Sequence, residues 1–150
     1  MEKILVSACF LGELVRYNGK VKGFVHPLFQ KWQEERRLVS FCPEVSGGLP
    51  IPRPPAEIQP DSNKIITCNG DDVTEAFLKG ANMALSLCKK HNIKYALLKE
   101  SSPSCGSTNI YDGTFTQSKI SGQGVTTRVL QENGIRVFSE LNIEDLATLI

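Results

Sequence analysis

The residues of this chain best equipped for chemistry are its cysteines, five in 150 residues. Three of them, Cys9, Cys42 and Cys105, stand at the carboxyl ends of stretches that read as β-strands, or a short turn beyond them. In an open parallel α/β sheet the crevice outside those strand ends is where ligands bind. No two of the three form a CxxC pair, so their spacing alone is weak evidence, and the stronger argument is convergence on one sheet edge. Three thiolates leave one coordination position open, whereas a closed structural zinc site takes four protein ligands. Soft sulfur donors suit zinc, copper(I) or an iron–sulfur cluster. A 4Fe–4S cluster normally takes four cysteines, so three would leave one iron open as a Lewis acid. Cys88 instead fits a small core hydrophobe on an apolar helix face. Cys68, beside Asn69-Gly70, reads as a structural or incidental thiol.

Other polar groups gather near the same edge. Glu44 follows Cys42 by two residues, with Pro43 between them, and a carboxylate there can act as a general base or as a hydrogen-bonded turn residue. Ser102 precedes Pro103 and faces either the crevice or its own turn. Gly122-Gln123-Gly124 opens a helix and could offer backbone N–H groups to an anion, but a plain loop is the favoured reading. Arg16-Tyr17 and Arg53 suit a phosphate or a base, or a surface ion pair. His26 and His91 fall at helix termini and are assigned neither to metal nor to catalysis.

The elements that must position these residues alternate between short apolar runs and helical periodicity. Strands are expected at Ile4–Cys9, Leu38–Cys42, Ile65–Thr67, Tyr95–Lys99 and Ile135–Phe138. Nearly continuous apolar runs imply strands buried on both faces, as in a parallel sheet covered by helices. Helices are expected over His26–Arg37, with Pro27 in its first turn, and Val73–His91, where Asp72 and Glu75 resemble a capping box. Two more cover Val125–Asn133 and Ile143–Leu149, the latter capped by Asn142. The pattern predicts an α/β fold, a Rossmann-like sandwich with a mainly parallel sheet, in a single compact domain over residues 1–150. Gly47–Pro55 reads as an ordered extended loop, not a domain linker.

Composition narrows the function. A chain of this length buries roughly 70% of the surface it exposes when unfolded, enough for a core without disulfides. It is 41% hydrophobic and 22% charged, and 17 Lys+Arg against 16 Asp+Glu leave a net charge of +1. That balance argues against a surface built to grip duplex nucleic acid. No apolar run approaches the roughly 18 residues of a membrane span, and no secretory signal pattern is legible. The expectation is a cytoplasmic protein with reduced thiols.

Several stretches together carry a resemblance. Ser7-Ala8-Cys9-Phe10-Leu11-Gly12, Val15-Arg16-Tyr17-Asn18-Gly19, Cys42-Pro43-Glu44-Val45-Ser46-Gly47-Gly48-Leu49-Pro50 and Arg53-Pro54-Pro55-Ala56-Glu57 resemble the thiouracil desulfidase family. So do Lys99-Glu100-Ser101-Ser102-Pro103-Ser104-Cys105-Gly106, Ile110-Tyr111-Asp112-Gly113 and Gly122-Gln123-Gly124-Val125-Thr126. The resemblance implies a compact α/β domain with an oxygen-sensitive 4Fe–4S cluster on Cys9, Cys42 and Cys105. It implies non-redox removal of sulfur from a thiolated nucleobase or nucleoside, with Glu44 and Ser102 as catalytic helpers. Phe10, Asn18 and Lys20 depart from the family's usual leucine, aspartate and glycine, and the first two could alter pocket shape or charge. The alternatives are a thiolate metal or cluster protein that senses or stores without turnover, and a zinc-dependent hydrolase.

Overall fold

The computed structural model describes residues 1–12 and 23–150. Arg16, Tyr17, Asn18 and Lys20 lie outside the described residues. Four parallel strands form the central sheet: β1 (Ile4–Ser7), β2 (Leu38–Phe41), β5 (Tyr95–Leu97) and β8 (Arg136–Phe138), in the order β2-β1-β5-β8. From β1 the chain runs outward to β2 on one side and later to β5 on the other. The carboxyl ends of β1 and β5 therefore flank the topological switch point, where α/β sheets open a crevice. Each strand is short, but β1 is fully buried, as its unbroken apolar run requires.

Helices cover both faces. Ile4, Val6 and Leu97 point toward α1 (Pro27–Glu34) and α5 (Ile143–Ala147), packing with Phe29, Trp32 and Leu146. Leu5, Ala96 and Leu98 point the other way, toward Ala84 and Cys88 of α3 (Thr74–His91) and Leu130 of α4 (Val125–Glu132). This alternation is the period of two of a strand, read out as two separate apolar layers. Phe10 is buried among Phe24 and Phe29, with ring centroids 5.0 and 6.0 Å away. Its bulk fills the core, so the expected change of pocket shape at this position is not what the fold makes of it.

Three differences from the sequence-based expectation bear on the site. The Ile65–Thr67 strand (β4) is outside the main sheet and pairs antiparallel with β3 (Ala56–Ile58). A second small hairpin joins β6 (Asn109–Tyr111) to β7 (Lys119–Ser121). A one-turn helix, α2 (Pro43–Ser46), follows Cys42 directly. The capping of α3 is also modified: Asp72 accepts from the Thr74 backbone N–H at 2.9 Å and from its hydroxyl at 2.6 Å. The Thr74 hydroxyl oxygen accepts in turn from the Ile65 N–H at 2.9 Å, which ties the helix start to β4.

Candidate metal and catalytic site

Each of the three cysteines leaves the sheet by a different device. Cys9 sits in a single 3-10 turn, Ala8–Leu11, directly after β1, and is 9% exposed. Cys42 is the N-cap of α2, one residue past β2. Cys105, 6% exposed, lies on the loop after β5. All three emerge at the carboxyl edge, where Cys105 feels the charges of Glu44, Cys42 and Cys9, and Cys42 that of Glu44. Cys88 is fully buried in α3, where burial alone pushes its thiol up to about 11. Cys68 is exposed beside Asn69, away from this group. His26 caps α1, its Nδ1 accepting from the Leu28 N–H at 3.1 Å, and His91 ends α3.

The α2 turn is positioned by backbone contact. A Cβ on Gly80 of α3 would lie 1.9 Å from the Pro43 carbonyl oxygen, and one on Gly47 would lie 2.1 Å from the Ala76 carbonyl oxygen. Two glycines facing each other let α2 lie against α3 more closely than any side chain permits. That contact fixes where Cys42 and Glu44 can be. The Gly48–Pro55 segment then returns Arg53 into the site as a buried cation, consistent with the ordered loop expected there. Its Nε donates to Glu44 Oε1 at 3.2 Å and its guanidinium donates to the Pro50 carbonyl at 3.1 Å.

The Cys105 loop is positioned by hydrogen bonds. Ser102 Oγ accepts from the backbone N–H groups of Ser104 and Cys105, each at 3.0 Å. Its side chain also lies close enough to Glu44 to help hold that carboxyl down. On the loop's carbonyl side, Gly124, Val125 and Thr126 donate their N–H groups to Gly106, Pro103 and Ser104. The Thr127 hydroxyl donates to the Cys105 carbonyl at 2.9 Å. Gly122-Gln123-Gly124 is the plain loop favoured from its sequence, not an anion site: its Gly122 and Gly124 N–H groups and the first amides of α4 are spent on carbonyls.

Among the described residues, the group sets thiols and a carboxylate beside the Arg53 cation. Burial pushes the Glu44 carboxyl above the ordinary range, opposed by the Arg53 charge and hydrogen bond and then by Ser102. Burial also raises Cys42, with the Val45 backbone and Arg53 pulling down and Glu44 pushing up. Cys105 is driven far above the usual thiol range by burial, then by Glu44, Cys42 and Cys9. These thiols can ionise together only if a cation joins them, and metal binding would release their protons. Among the described residues, no three His, Cys, Asp or Glu side chains lie close enough to hold one metal ion. A single zinc needs its sulfur donors about 2.3 Å from one point. Soft thiol donors also suit a multi-iron group, and the chemistry of this donor set fits a 4Fe–4S cluster.

Beside Glu44 opens a cavity of about 130 Å³, lined by Glu44, Arg53, Leu49, Thr67, Asp71 and Phe77 among others. A cavity of roughly 150 Å³ holds a benzene-sized ring.

The fold is a three-layer α/β sandwich with three cysteine thiols and the Glu44 carboxylate at the carboxyl edge of its sheet. The model of the 2-thiouracil desulfurase family matches residues 4–142, and the chain belongs to that family. It is 42% identical over 151 residues to the uncharacterised protein YbbK of Bacillus subtilis (strain 168), covering 95% of this chain and 99% of that protein. It is also similar to a solved structure described as the 4Fe-4S-dependent thiouracil desulfidase TudS. That match has a TM-score of 0.95 at 50% identity and covers 99% of this chain and 97% of the other. Among the described residues no helix is long and apolar enough to cross a membrane.

Proposed function

We propose that this protein removes sulfur from a thiolated uracil or uridine compound by non-redox hydrolysis, with Cys9, Cys42 and Cys105 holding a 4Fe–4S cluster. The observation that carries the reading is the meeting of buried Cys9 and Cys105 with half-buried Cys42 and Glu44 at the sheet's carboxyl edge. Family membership and the similarity to TudS support it. In the overall reaction the carbon–sulfur double bond is replaced by carbon–oxygen: water supplies the oxygen, and the sulfur leaves as hydrogen sulfide. When bound, such a cluster supplies an iron without a protein ligand, a soft Lewis acid matched to substrate sulfur.

The chain's own residues supply the proton chemistry. Glu44 accepts the proton of the attacking water, and its desolvated setting strengthens it as a base once it is ionised. Arg53 keeps that carboxylate oriented and compensates its charge. Ser102 has both acceptor directions occupied by backbone N–H groups, so it serves as a donor to Glu44 and not as a nucleophile. The proposal assigns all of this to one domain over residues 1–150, working in the cytoplasm where thiols stay reduced.

Anaerobic reconstitution tests it. The loaded protein is expected to be brown, to hold about four irons per chain, and to release sulfide from a thiolated uracil. Replacing Cys9, Cys42 or Cys105 by Ser should abolish the stable cluster, and Cys88→Ser should leave it. Stoichiometric zinc with no cluster would overturn the reading. A stable cluster without sulfide release would leave a binding protein.

A further inference from the structure

One buried carboxylate outside the group above is used in an unusual way. Glu100 lies three residues past the end of β5, is 7% exposed, and has no cation bonded to its carboxylate among the described residues. Its Oε1 instead accepts from the backbone N–H groups of Ser101, Ser107, Thr108 and Asn109, at 3.2, 2.9, 3.0 and 3.1 Å. Its Oε2 accepts from the Ser107 hydroxyl at 2.7 Å. The two ends of the Ser101–Asn109 segment are therefore gathered onto one side chain, and Ser102 and Cys105 lie on the arc between them.

The root of Glu100 is fixed as well. Its own N–H donates to Glu140 Oε1 at 2.8 Å, and Glu140 also pairs with Lys99. The Lys99 N–H donates to Ser7 Oγ at 2.8 Å, and Ser7 is the last residue of β1, two before Cys9. One hydrogen-bonded path thus runs from the end of β1, through Lys99 and Glu100, to both ends of the Cys105 loop. A loop closed in this way gives up its conformational freedom during folding, before any ligand arrives.

We infer that Glu100 is the positioning residue that presets the Cys105 loop, holding the thiol at the sheet edge in the protein without its cluster. A carboxylate is suited to the task because it accepts from several N–H groups at once, and charge-assisted bonds are about twice as strong as neutral ones. Alanine here would orphan four loop N–H groups. Glutamine keeps one acceptor oxygen and the shape but loses the charge.

Alkylation of the full chain, freed of cluster under anaerobic conditions, tests the inference without reference to activity. Iodoacetamide modification is followed at Cys105 and Cys88 by peptide mass spectrometry. In Glu100→Ala the Cys105 rate should rise about tenfold or more through local opening, while Cys88 is unchanged. Glu100→Gln should recover most of that protection, leaving a rise of about threefold for the weaker neutral acceptor. If the alanine variant does not fold, Glu100→Gln and Ser107→Ala decide the matter by a rise confined to Cys105. Unchanged Cys105 protection in the variants that fold, or Cys88 opening in step with it, would overturn the inference. The consequence for the cluster rests on the proposed function: chelator extraction of iron from loaded protein should quicken in the same rank order. Cys105 loosened with iron retention unchanged would strike the assignment of Cys105 as a ligand and leave the role of Glu100 standing.

Discussion

The turn that carries Cys42 and the loop that carries Cys105 reach the same site by opposite means. The first is placed by steric contact: Gly47 and Gly80 bring α2 onto α3 with no room for a Cβ on either. The second is placed by polar bonds, with the Glu100 carboxylate gathering N–H groups on one side and α4 gathering carbonyls on the other. Steric placement tolerates changes of pH and charge but not added volume. Polar placement tolerates small changes of volume but depends on one group staying ionised. Glu44, the group assigned the base, sits on the sterically fixed turn, and Ser102, its neighbour across the site, sits on the bonded loop. The site works only while the two placements agree.

The largest effect should come from separating chemistry from placement on the steric side. Glu44→Gln keeps the α2 turn and its contact with α3 but removes the proton acceptor. General-base assistance is typically worth about 10²–10⁴ in rate, and turnover of a thiolated uracil should fall by that factor with the cluster spectrum intact. Sulfide release measured anaerobically on matched cluster-loaded samples checks it. Full activity in the variant would move the base elsewhere and reduce Glu44 to a partner of Arg53.

On the polar side the corresponding lever is acid. Burial acts to raise the Glu100 carboxyl, but the bonds from Thr108, Asn109, Ser107 and Ser101 outweigh it and hold the group down at about 2. A carboxylate held below its unfolded value near 4.5 contributes stability that is complete above that value and is lost as pH falls toward 2. At about 1.4 kcal/mol per pH unit of separation, the contribution is on the order of 3 kcal/mol for a side chain this buried. Denaturant midpoints followed from pH 6 to 2.5 should show the wild type losing its advantage over Glu100→Gln across that window. Parallel curves would mean that the charge of Glu100 does not hold the loop.

The two placements differ in how far the sequence discloses them. The continuous apolar runs at Ile4, Leu38 and Tyr95 reveal the parallel strands, and the strand-end rule then brings Cys9, Cys42 and Cys105 to one edge. Strands of three residues with one inward side chain, such as Asn109–Tyr111, leave too little periodicity to be read, and the exposed Lys119–Ser121 leaves none. The α2 turn is too short for any helical repeat. Gly80, within a long amphipathic helix, gives no hint that its missing Cβ is where Pro43 must fit. Glu100 is hidden for another reason: its partners are backbone N–H groups, which every residue offers, so no pairing of residue types announces them. Arg53 was legible as a cation in an ordered loop, but its pairing with Glu44 depends on how that loop folds back.

A smaller effect, and one whose sign is informative, is expected from Gly80→Ala. Alanine inside an exposed helix is normally about 1 kcal/mol better than glycine. Here its Cβ would meet the Pro43 carbonyl at 1.9 Å, backbone against side chain with nothing flexible to move aside. Overpacking of this kind costs about 1–3 kcal/mol, so the net change should be destabilising, with the melting temperature lowered by a few degrees. Cys42 and Glu44 should shift with the turn, and iron retention should fall alongside stability. A stabilised variant would show that α2 can retreat from α3, and the steric half of the comparison would fail.

The smallest effect belongs to the residue that touches both halves. Ser102→Ala removes the acceptor of the Ser104 and Cys105 N–H groups and the donor to Glu44, but none of the Glu100 or α4 bonds that close the loop. A side chain capping two N–H groups in this way contributes about 1 kcal/mol, so the melting temperature should fall by only about 2–4 °C. The cluster should remain, because Ser102 is assigned no ligand role and Cys105 is still held through its carbonyl by Thr127. Turnover should nevertheless fall by more than that loss of stability explains, since Glu44 loses the hydroxyl that fixes its orientation across from Arg53. Ser102→Thr distinguishes the two contributions: it keeps the hydroxyl for Glu44 and for the loop, and should restore turnover together with stability. If Ser102→Ala loses stability but turns over at the wild-type rate, the serine belongs wholly to the loop.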